Sequence, residues 1–295
     1  MSTINKSTLG TFIIAVAVLW QGVGTAVVGH RVEAELSTFT TFAAFFIAAI
    51  ISSAGFAMRK SGKSSALGLL KSARGIKIAL ALNLFTAGAF CLFYVSATLI
   101  PPTAASVIET SIGPLVVAVF VAFAARRLNK SLIPPLVIVV LALGYFFLGD
   151  VDASSGTVAG FVLSIAAGMS AVGVLYSSQW ASQLGLDVIS IAAIRFHLAW
   201  ILSGVVAFST IDMTSFSQGE ITSTVVLSML CITFPILLLQ WGIILAPPFV
   251  AALIIAALPA VVMVTEILLG ASVNPIQLVL LVLIVLITIG QAIKR

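Results

Sequence analysis

The stretch Leu99-Ile-Pro-Pro-Thr-Ala-Ala-Ser recurs later in the chain as Leu245-Ala-Pro-Pro-Phe-Val-Ala-Ala. Each copy is followed by an apolar segment with another proline, Gly113-Pro114-Leu-Val-Val in the first case and Leu258-Pro259-Ala-Val-Val in the second. The double prolines are 146 residues apart, which is about half of the 295-residue chain. Weak self-similarity with this period predicts two structural repeats. Chance similarity between apolar helices is the alternative, because runs of Ala, Leu and Val resemble one another readily.

The composition around these stretches excludes a soluble globular protein. The chain is 61% hydrophobic and only 8% charged, with a mean hydropathy of +1.26, whereas an ordinary globular domain is about 25% charged. So few charged side chains cannot cover the outside of a 30.6 kDa protein in water. The surrounding solvent is therefore expected to be lipid.

About ten apolar stretches are long enough to cross a hydrocarbon core of about 30 Å, which takes about 20 residues. Double prolines separate spans three and four, and again eight and nine, so a helical hairpin is favoured over one very long helix at each place. The predicted spans are 10–28, 38–58, 77–99, 103–125, 132–149, 157–178, 189–209, 222–245, 248–269 and 276–293.

Basic residues orient these spans, because short loops rich in Lys and Arg stay in the cytoplasm. With ten spans and a cytoplasmic N-terminus, twelve of the 14 Lys and Arg residues fall on the cytoplasmic side. The basic charge balance is thus explained by membrane topology, and no nucleic-acid partner is expected. Because five spans per repeat is an odd number, the second repeat enters the membrane from the opposite face. The predicted fold is an all-α polytopic membrane protein of ten transmembrane helices in two inverted five-helix repeats, residues 1–150 and 151–295.

This organisation, with Val18-Leu19-Trp20 in span one and a proline-containing, small-residue-rich helix after each double proline, resembles the drug/metabolite transporter superfamily. Among its EamA-type members, the chain looks most like the YddG amino-acid exporters. The resemblance implies a plasma (inner) membrane protein that exports small metabolites, aromatic or other amino acids among them, by alternating access. Multidrug or nucleotide-sugar transport on the same fold is an alternative. No cofactor is expected, and the partners are the lipid bilayer, the substrate and, as an open option, a proton.

The same resemblance implies a central cavity surrounded by spans one, three, six and eight. An aromatic and amide lining suits an amphiphilic metabolite, although Tyr94 could equally anchor a span at the membrane interface. The predicted substrate-binding residues are Trp20, Gln21, Asn83, Tyr94, Glu109, Thr110, Ser111, Tyr176, Gln240 and Trp241.

Three ionisable side chains lie at membrane depth, where each costs about 2.5–3.5 kcal/mol on insertion scales. Glu109 is predicted about 9 Å below the outer end of span four, where it could bind a substrate ammonium or a proton, or remain protonated between helices. Glu266 is expected to reach the interface. Arg195 could contact a substrate carboxylate, but we expect it to extend to the cytoplasm. A direct ion pair between Glu109 and Arg195 is not expected, because they lie near opposite faces.

The prolines are candidates for hinges in the helices. Proline lacks an N–H, so Pro114 and Pro259 leave the carbonyls of Thr110 and Ile255 without their usual helical partners. Such carbonyls can bind water or substrate beside a cavity, although many membrane helices contain proline for shape alone. The predicted gating and hinge residues are Pro101, Pro102, Pro114, Pro247, Pro248 and Pro259.

An enzymatic alternative is an intramembrane serine protease that uses Ser170 and His197, since both lie at membrane depth on neighbouring spans. The motif Gly168-Met-Ser170-Ala is weakly specific, and a protease function does not explain the internal duplication of the chain. His197 has no second histidine nearby, so a metal site is not expected. The chain also has no phosphate-binding Gly-x-x-x-x-Gly-Lys-Ser/Thr motif, which argues against ATP-driven transport by this chain.

We predict that the basic loops around residues 65 and 126–130 face the cytoplasm. In a variant with Cys91 and Cys231 replaced, a new cysteine at Ser65 should resist a membrane-impermeant thiol reagent applied to intact cells, whereas one at Asp212 should react. Labelling of position 65 from outside would refute both the topology and the inverted repeat.

Overall fold

The computed structural model describes residues 5–59, 63–126, 130–148, 155–272 and 274–293. Helices account for 89% of the structure, and no strand occurs within these ranges. Many large apolar side chains lie on the outside, among them Phe123 and Leu268, which are 82% and 80% exposed. An outer surface of this kind is suited to lipid rather than to water.

Eight helical segments are long and apolar enough to cross a membrane, as expected for a polytopic membrane protein. They are Lys6–Arg31, Ser37–Met58, Ala73–Leu99, Thr103–Ala124, Ser155–Gln183, Val188–Thr210, Gln218–Leu245 and Pro248–Leu268. Two other predicted spans are shorter apolar helices, Ile133–Phe147 and Pro275–Gln291. The 15-residue helix Ile133–Phe147 spans only about 22 Å, and Leu132, the first residue of the predicted span, belongs to the preceding 3₁₀ turn Lys130–Leu132.

The continuous helices are α1 (Lys6–Arg31), α2 (Ser37–Met58), the short α3 (Lys63–Leu70), α4 (Ala73–Leu99), α5 (Pro102–Ala124), α6 (Ile133–Phe147) and α7 (Ser155–Gln183). Three later segments are interrupted. They comprise α8 (Val188–Arg195) with α9 (His197–Thr210), α10 (Gln218–Ser228) with the π-turn Met229–Thr233 and α11 (Phe234–Leu245), and α12 (Pro248–Ile255) with α13 (Leu258–Leu268). The last helix is α14 (Pro275–Ile293).

The prolines behave differently in the two halves. Each double proline ends one helix and starts the next, at the beginning of α5 and of α12, as predicted from the sequence. Pro114 lies inside the uninterrupted α5, whereas the chain breaks between α12 and α13 directly before Pro259. The missing N–H of a proline permits such a break but does not require one, since Pro114 lacks the same donor inside α5. A gating role for these prolines stays a prediction.

Close contacts at glycines recur in the two halves of the chain. A Cβ placed on Gly10 of α1 would lie 2.6 Å from the Ala246 nitrogen at the end of α11. A Cβ placed on Gly160 of α7 would lie 2.8 Å from Ile100 Cγ2 at the end of α4. Gly160 follows Gly10 by 150 positions, and Ala246 follows Ile100 by 146. In each half, the residue just before the double proline therefore packs against the start of a helix, which is α1 for Ala246 and α7 for Ile100.

Three further contacts repeat with nearly the same spacing. They connect α1 with the α10–α11 segment in one case and α7 with α4 in the other. In the first pair, Gly24 approaches Cys231, and Gly173 approaches Phe85. In the second pair, Trp20 packs beside Phe234, and Ser170 packs beside Gly88. In the third pair, Gly242 lies against Ile14 and the Gly10 carbonyl, and the Ser96 hydroxyl contacts Ser164 and the Gly160 carbonyl. Small residues at these crossings let the helix backbones approach closely, which is how helices associate in lipid.

Contacts between helix termini sort them into two ends of the bundle. At what we call the inner end, Arg59 after α2 pairs with Asp187 before α8 at 2.5 Å, and Gln179 near the end of α7 donates to the Ala246 carbonyl after α11. At the outer end, Phe39 of α2 meets Phe208 of α9, with ring centroids 6.2 Å apart. Successive long helices thus run in alternating directions.

The Arg59–Asp187 pair is partly exposed, with 28% and 41% of the two side chains accessible. Partial burial alone would raise the pKa of Asp187, but hydrogen bonds from Ser190 and Arg59 outweigh it and hold that pKa below its ordinary value. A carboxyl of this kind contributes stability above its unfolded-state pKa and loses it as the pH falls through the lower folded-state pKa. The pair therefore joins α2 to α8 at neutral pH.

We expect Gly10→Ala to destabilise the detergent-solubilised protein by about 1–3 kcal/mol, because the new methyl group meets backbone atoms that cannot move aside. Gly29→Ala on the same helix is the matched control, since a Cβ there has nothing within 4 Å. Thermal unfolding measures both. Equal melting temperatures for the two variants would show that the α1–α11 crossing is looser than described.

Candidate functional site

Arg195 is buried in the middle of the bundle, at the end of α8. It is 3% exposed, which corrects the expectation that it would extend to the cytoplasm. Its Nε donates to the Thr86 hydroxyl of α4 at 3.2 Å, and its Nη1 donates to the side-chain oxygen of Gln240 on α11. The guanidinium carbon also lies 4.9 Å from the centre of the Phe196 ring. These polar and aromatic partners hold the cation inside the protein.

Asn83 of α4 creates the helix break that follows Arg195. In an uninterrupted helix the Leu198 N–H would donate to the Ile194 carbonyl, four residues earlier. Here the Asn83 amide is inserted between them: its nitrogen donates to the Ile194 carbonyl at 2.7 Å, and its oxygen accepts from the Leu198 N–H at 3.0 Å. Both backbone groups stay bonded, so the break costs little in a surrounding without water. A substrate contact by Asn83 stays a prediction.

Gln240 connects Arg195 to α7. The side chain is fully buried, and its oxygen also accepts from the Ser178 hydroxyl at 3.4 Å. Its amide nitrogen has no hydrogen-bond partner among the described residues. Because an unpaired buried amide costs about 1–3 kcal/mol, this nitrogen is an unused donor. We call Arg195, Thr86, Ser178 and Gln240 the guanidinium cluster; Thr86 and Ser178 had no signal in the local sequence.

A second polar group lies nearer the outer end. Glu109 of α5 is partly buried and makes no hydrogen bond or ion pair in the described part of the chain. Tyr94 of α4 is close enough to Glu109 of α5 and to Thr41 of α2 for electrostatic interaction, and the Thr41 hydroxyl donates to the Ser37 carbonyl in its own helix. We call Glu109, Tyr94 and Thr41 the carboxyl cluster. The structure thus brings together Tyr94 and Glu109, which the sequence had proposed for one site.

The other polar residues of α5 near Glu109 are buried. Thr110 is 6% exposed, and its hydroxyl donates to the Ser106 carbonyl. Ser111 is 1% exposed, and its hydroxyl has no partner among the described residues. A buried hydroxyl without a partner is a candidate for contact with water or ligand.

The two clusters lie at different levels of the bundle. Thr86 and Tyr94, their respective members on α4, are eight residues apart, which corresponds to a rise of about 12 Å. This separation matches the expectation that Glu109 and Arg195 are too distant for a direct ion pair. Among the described residues, the ion pair found is the one between Arg59 and Asp187.

The remaining predicted aromatic and amide residues make no side-chain hydrogen bond to either cluster in the part of the chain that the structure describes. Trp20 is 43% exposed and packs beside Phe234, and Tyr176 is 36% exposed and packs beside Phe120 with ring centroids 5.9 Å apart. Trp241 is 48% exposed. Gln21 is partly buried. Their roles in a substrate cavity stay predictions.

Ser170 and His197 do not form the pair that a serine protease needs. The Ser170 hydroxyl donates to the Ala166 carbonyl at 2.8 Å. The two ring nitrogens of His197 contact the Ala193 carbonyl at 2.8 Å and the Trp200 indole nitrogen at 3.3 Å. A general base must reach the nucleophile's hydroxyl, and this geometry does not provide that contact.

Comparison with known proteins supports the fold alone. The chain is similar over 99% of its length to all of a solved chain described only as "Crystal structure of protein", with a TM-score of 0.69 and 19% sequence identity. No family model and no curated protein matches the sequence. The architecture is therefore one that a solved structure shares.

We expect Asn83→Leu to lower the thermal stability of the protein by about 1–3 kcal/mol, because it removes both bonds that the inserted amide makes to α8 and α9. Leu84→Ala, at the neighbouring residue with 63% exposure, is the control and should change stability little. Melting of the purified variants in detergent measures the difference. An effect of Asn83→Leu no larger than the control's would show that the helix break does not depend on this amide.

Proposed function

We propose that this protein is a transporter that exports small metabolites, with amino acids as the substrate class, across the plasma (inner) membrane by alternating access. Its ten helices cross the membrane as two inverted five-helix repeats, residues 1–150 and 151–295, with both termini in the cytoplasm. The observation that carries the proposal is the recurrence of the α1 contacts with α11 in the α7 contacts with α4. Repeats of this kind rock against each other in transporters.

The arrangement of helix ends supports the inversion. The start of α1 meets the end of α11 at Gly10, and the start of α7 meets the end of α4 at Gly160. The end of α7 and the end of α11 meet each other through Gln179. Because α7 runs from the outer to the inner end and α1 runs the other way, the repeated contacts are related by a rotation that exchanges the inner and outer ends of the bundle.

Buried polar groups support transport over a purely structural role. The Arg195 guanidinium and the partly buried Glu109 carboxyl have no charged partner among the described residues. Ionisable groups of this kind are expensive at membrane depth and are found where they serve a pathway. The guanidinium cluster lies toward the cytoplasmic half, and the carboxyl cluster lies toward the outer half. A substrate that moves outward would meet them in that order. The driving force is the substrate gradient or an ion gradient, and Glu109 is the group that could carry a proton.

Uptake into proteoliposomes tests this function directly. A panel of radiolabelled amino acids, nucleosides and cationic drugs distinguishes amino-acid export from the multidrug and nucleotide-sugar alternatives that the same fold allows. We expect concentration-dependent accumulation of amino acids that unlabelled amino acids compete away. Accumulation of drugs or nucleosides in their place would assign a different substrate class, and no accumulation of any compound would refute transport.

For Glu109→Gln, which keeps the size and hydrogen-bonding capacity of the side chain but removes its charge, we expect one of two results. If Glu109 receives a substrate ammonium, affinity for amino acids falls about tenfold or more, while N-acetylated analogues change little. If it carries a coupling proton, the pH dependence of transport flattens while substrate exchange survives.

Glu266→Gln is the matched control, since Glu266 is the other carboxyl at membrane depth and lies nearer its helix end. The control should leave affinity and pH profile unchanged. Unchanged affinity and pH profile for Glu109→Gln, together with a lower melting temperature, would mean that this carboxyl is structural.

A further inference from the structure

The guanidinium cluster contains one buried charge and no acid to balance it. Among the described residues no carboxylate lies within ion-pair distance of Arg195, and its side-chain contacts are Thr86, Gln240 and the Phe196 ring. Arginine stays protonated in proteins, so the charge cannot be removed by loss of a proton. An isolated buried cation is strongly unfavourable unless another group compensates it.

Two hydrogen-bond donors of the cluster are unused. Arg195 donates through Nε and Nη1, and its Nη2 makes no hydrogen bond in the described part of the chain. The Gln240 amide nitrogen, on a fully buried side chain, also has no partner. Because the Gln240 oxygen accepts from Arg195, the two groups are held side by side. Their free N–H donors can face the two oxygens of one anionic group, and charge-assisted bonds of this type are the strong ones.

We propose that Arg195 and Gln240 form the binding site for the carboxylate of the transported substrate, with Thr86 and Ser178 as the residues that position them. This inference rests on the proposed function and specifies its substrate: the site takes a small monoanion with a carboxylate. Phosphate esters carry about two negative charges, and the cluster has a single cation to meet them. Amino acids carry the required group, whereas their amides and the corresponding amines do not.

The position of the site gives it a place in the transport cycle. Arg195 and the last turns of α7 and α11 lie toward the inner end of the bundle, from which an exporter loads. Tyr94, the member of the carboxyl cluster on α4, lies about 12 Å farther along that helix than Thr86, which is too far for the ammonium and carboxylate of one amino acid to touch both clusters together. Arg195 therefore acts in loading from the cytoplasm, and the carboxyl cluster acts at a later position along the path.

The first test uses the wild-type protein in detergent and in proteoliposomes. Phenylalanine and alanine are each compared with their amides and with phenylethylamine and ethylamine, and alanine is also compared with phosphoethanolamine. We expect each free amino acid to bind at least about tenfold more tightly than its amide or amine, which corresponds to about 1.4 kcal/mol. Equal binding of acid and amide by the wild type would overturn the inference, and preference for the phosphate ester would reassign the anion.

The second test supplies an internal competitor for the substrate carboxylate. Gln240→Glu places a carboxylate of nearly the same size beside Arg195, so it should raise the melting temperature, weaken amino-acid binding about tenfold or more, and leave amide binding unchanged. Arg195→Gln should abolish the preference for acid over amide. Should either variant fail to fold, Ser178→Ala provides a milder change, which should weaken binding of the acid more than of the amide.

The outcomes separate the inference from the proposed function. Transport of amino acids with no preference for the carboxylate, or a preference that survives both Gln240→Glu and Arg195→Gln in folded protein, refutes the carboxylate site while leaving the transporter assignment intact. Wild-type protein that neither binds nor moves any amino acid refutes both. Loss of acid preference in the variants, with amide binding preserved, supports the site and is not expected from a merely structural arginine.

Discussion

Close backbone approach at glycines is the interaction on which the rest of the bundle depends. In lipid, helices gain nothing by hiding apolar side chains from their surroundings, so they must associate by tight packing and by hydrogen bonds across their interfaces. The crossings at Gly10 and Gly160, where even a Cβ would collide with the facing helix, provide the tight packing. They also fix the distance between the helices that carry the polar clusters, since α4, α7 and α11 all take part in these crossings.

The fold class could be predicted from the sequence because composition and helix length are local properties that the bilayer constrains directly. The double prolines likewise marked the starts of α5 and α12 correctly, since proline at a helix start acts through its own backbone. The two shorter helices were less predictable. The apolar pattern of the fifth predicted span begins in a 3₁₀ turn and continues past the end of α6, and hydropathy cannot distinguish those conformations.

The site was predictable only in part. Glu109 and Tyr94 were recognised because acidic and aromatic residues are conspicuous in an apolar helix, and both lie in the carboxyl cluster. The burial of Arg195 was predicted wrongly, because its depth suggested an easy route to the cytoplasm, while the groups that retain it, Thr86 and Gln240, are 109 and 45 residues away in sequence. A side chain whose partners come from other helices leaves no local pattern to detect.

The inserted amide of Asn83 has a consequence for the position of Arg195. Residues 188–210 contain no proline or other breaker at the interruption, and the group that separates α8 from α9 belongs to a helix made 111 residues earlier. The bend between α8 and α9 therefore depends on the contact with α4. The same contact that joins these helices also sets the position of Arg195 at the end of α8.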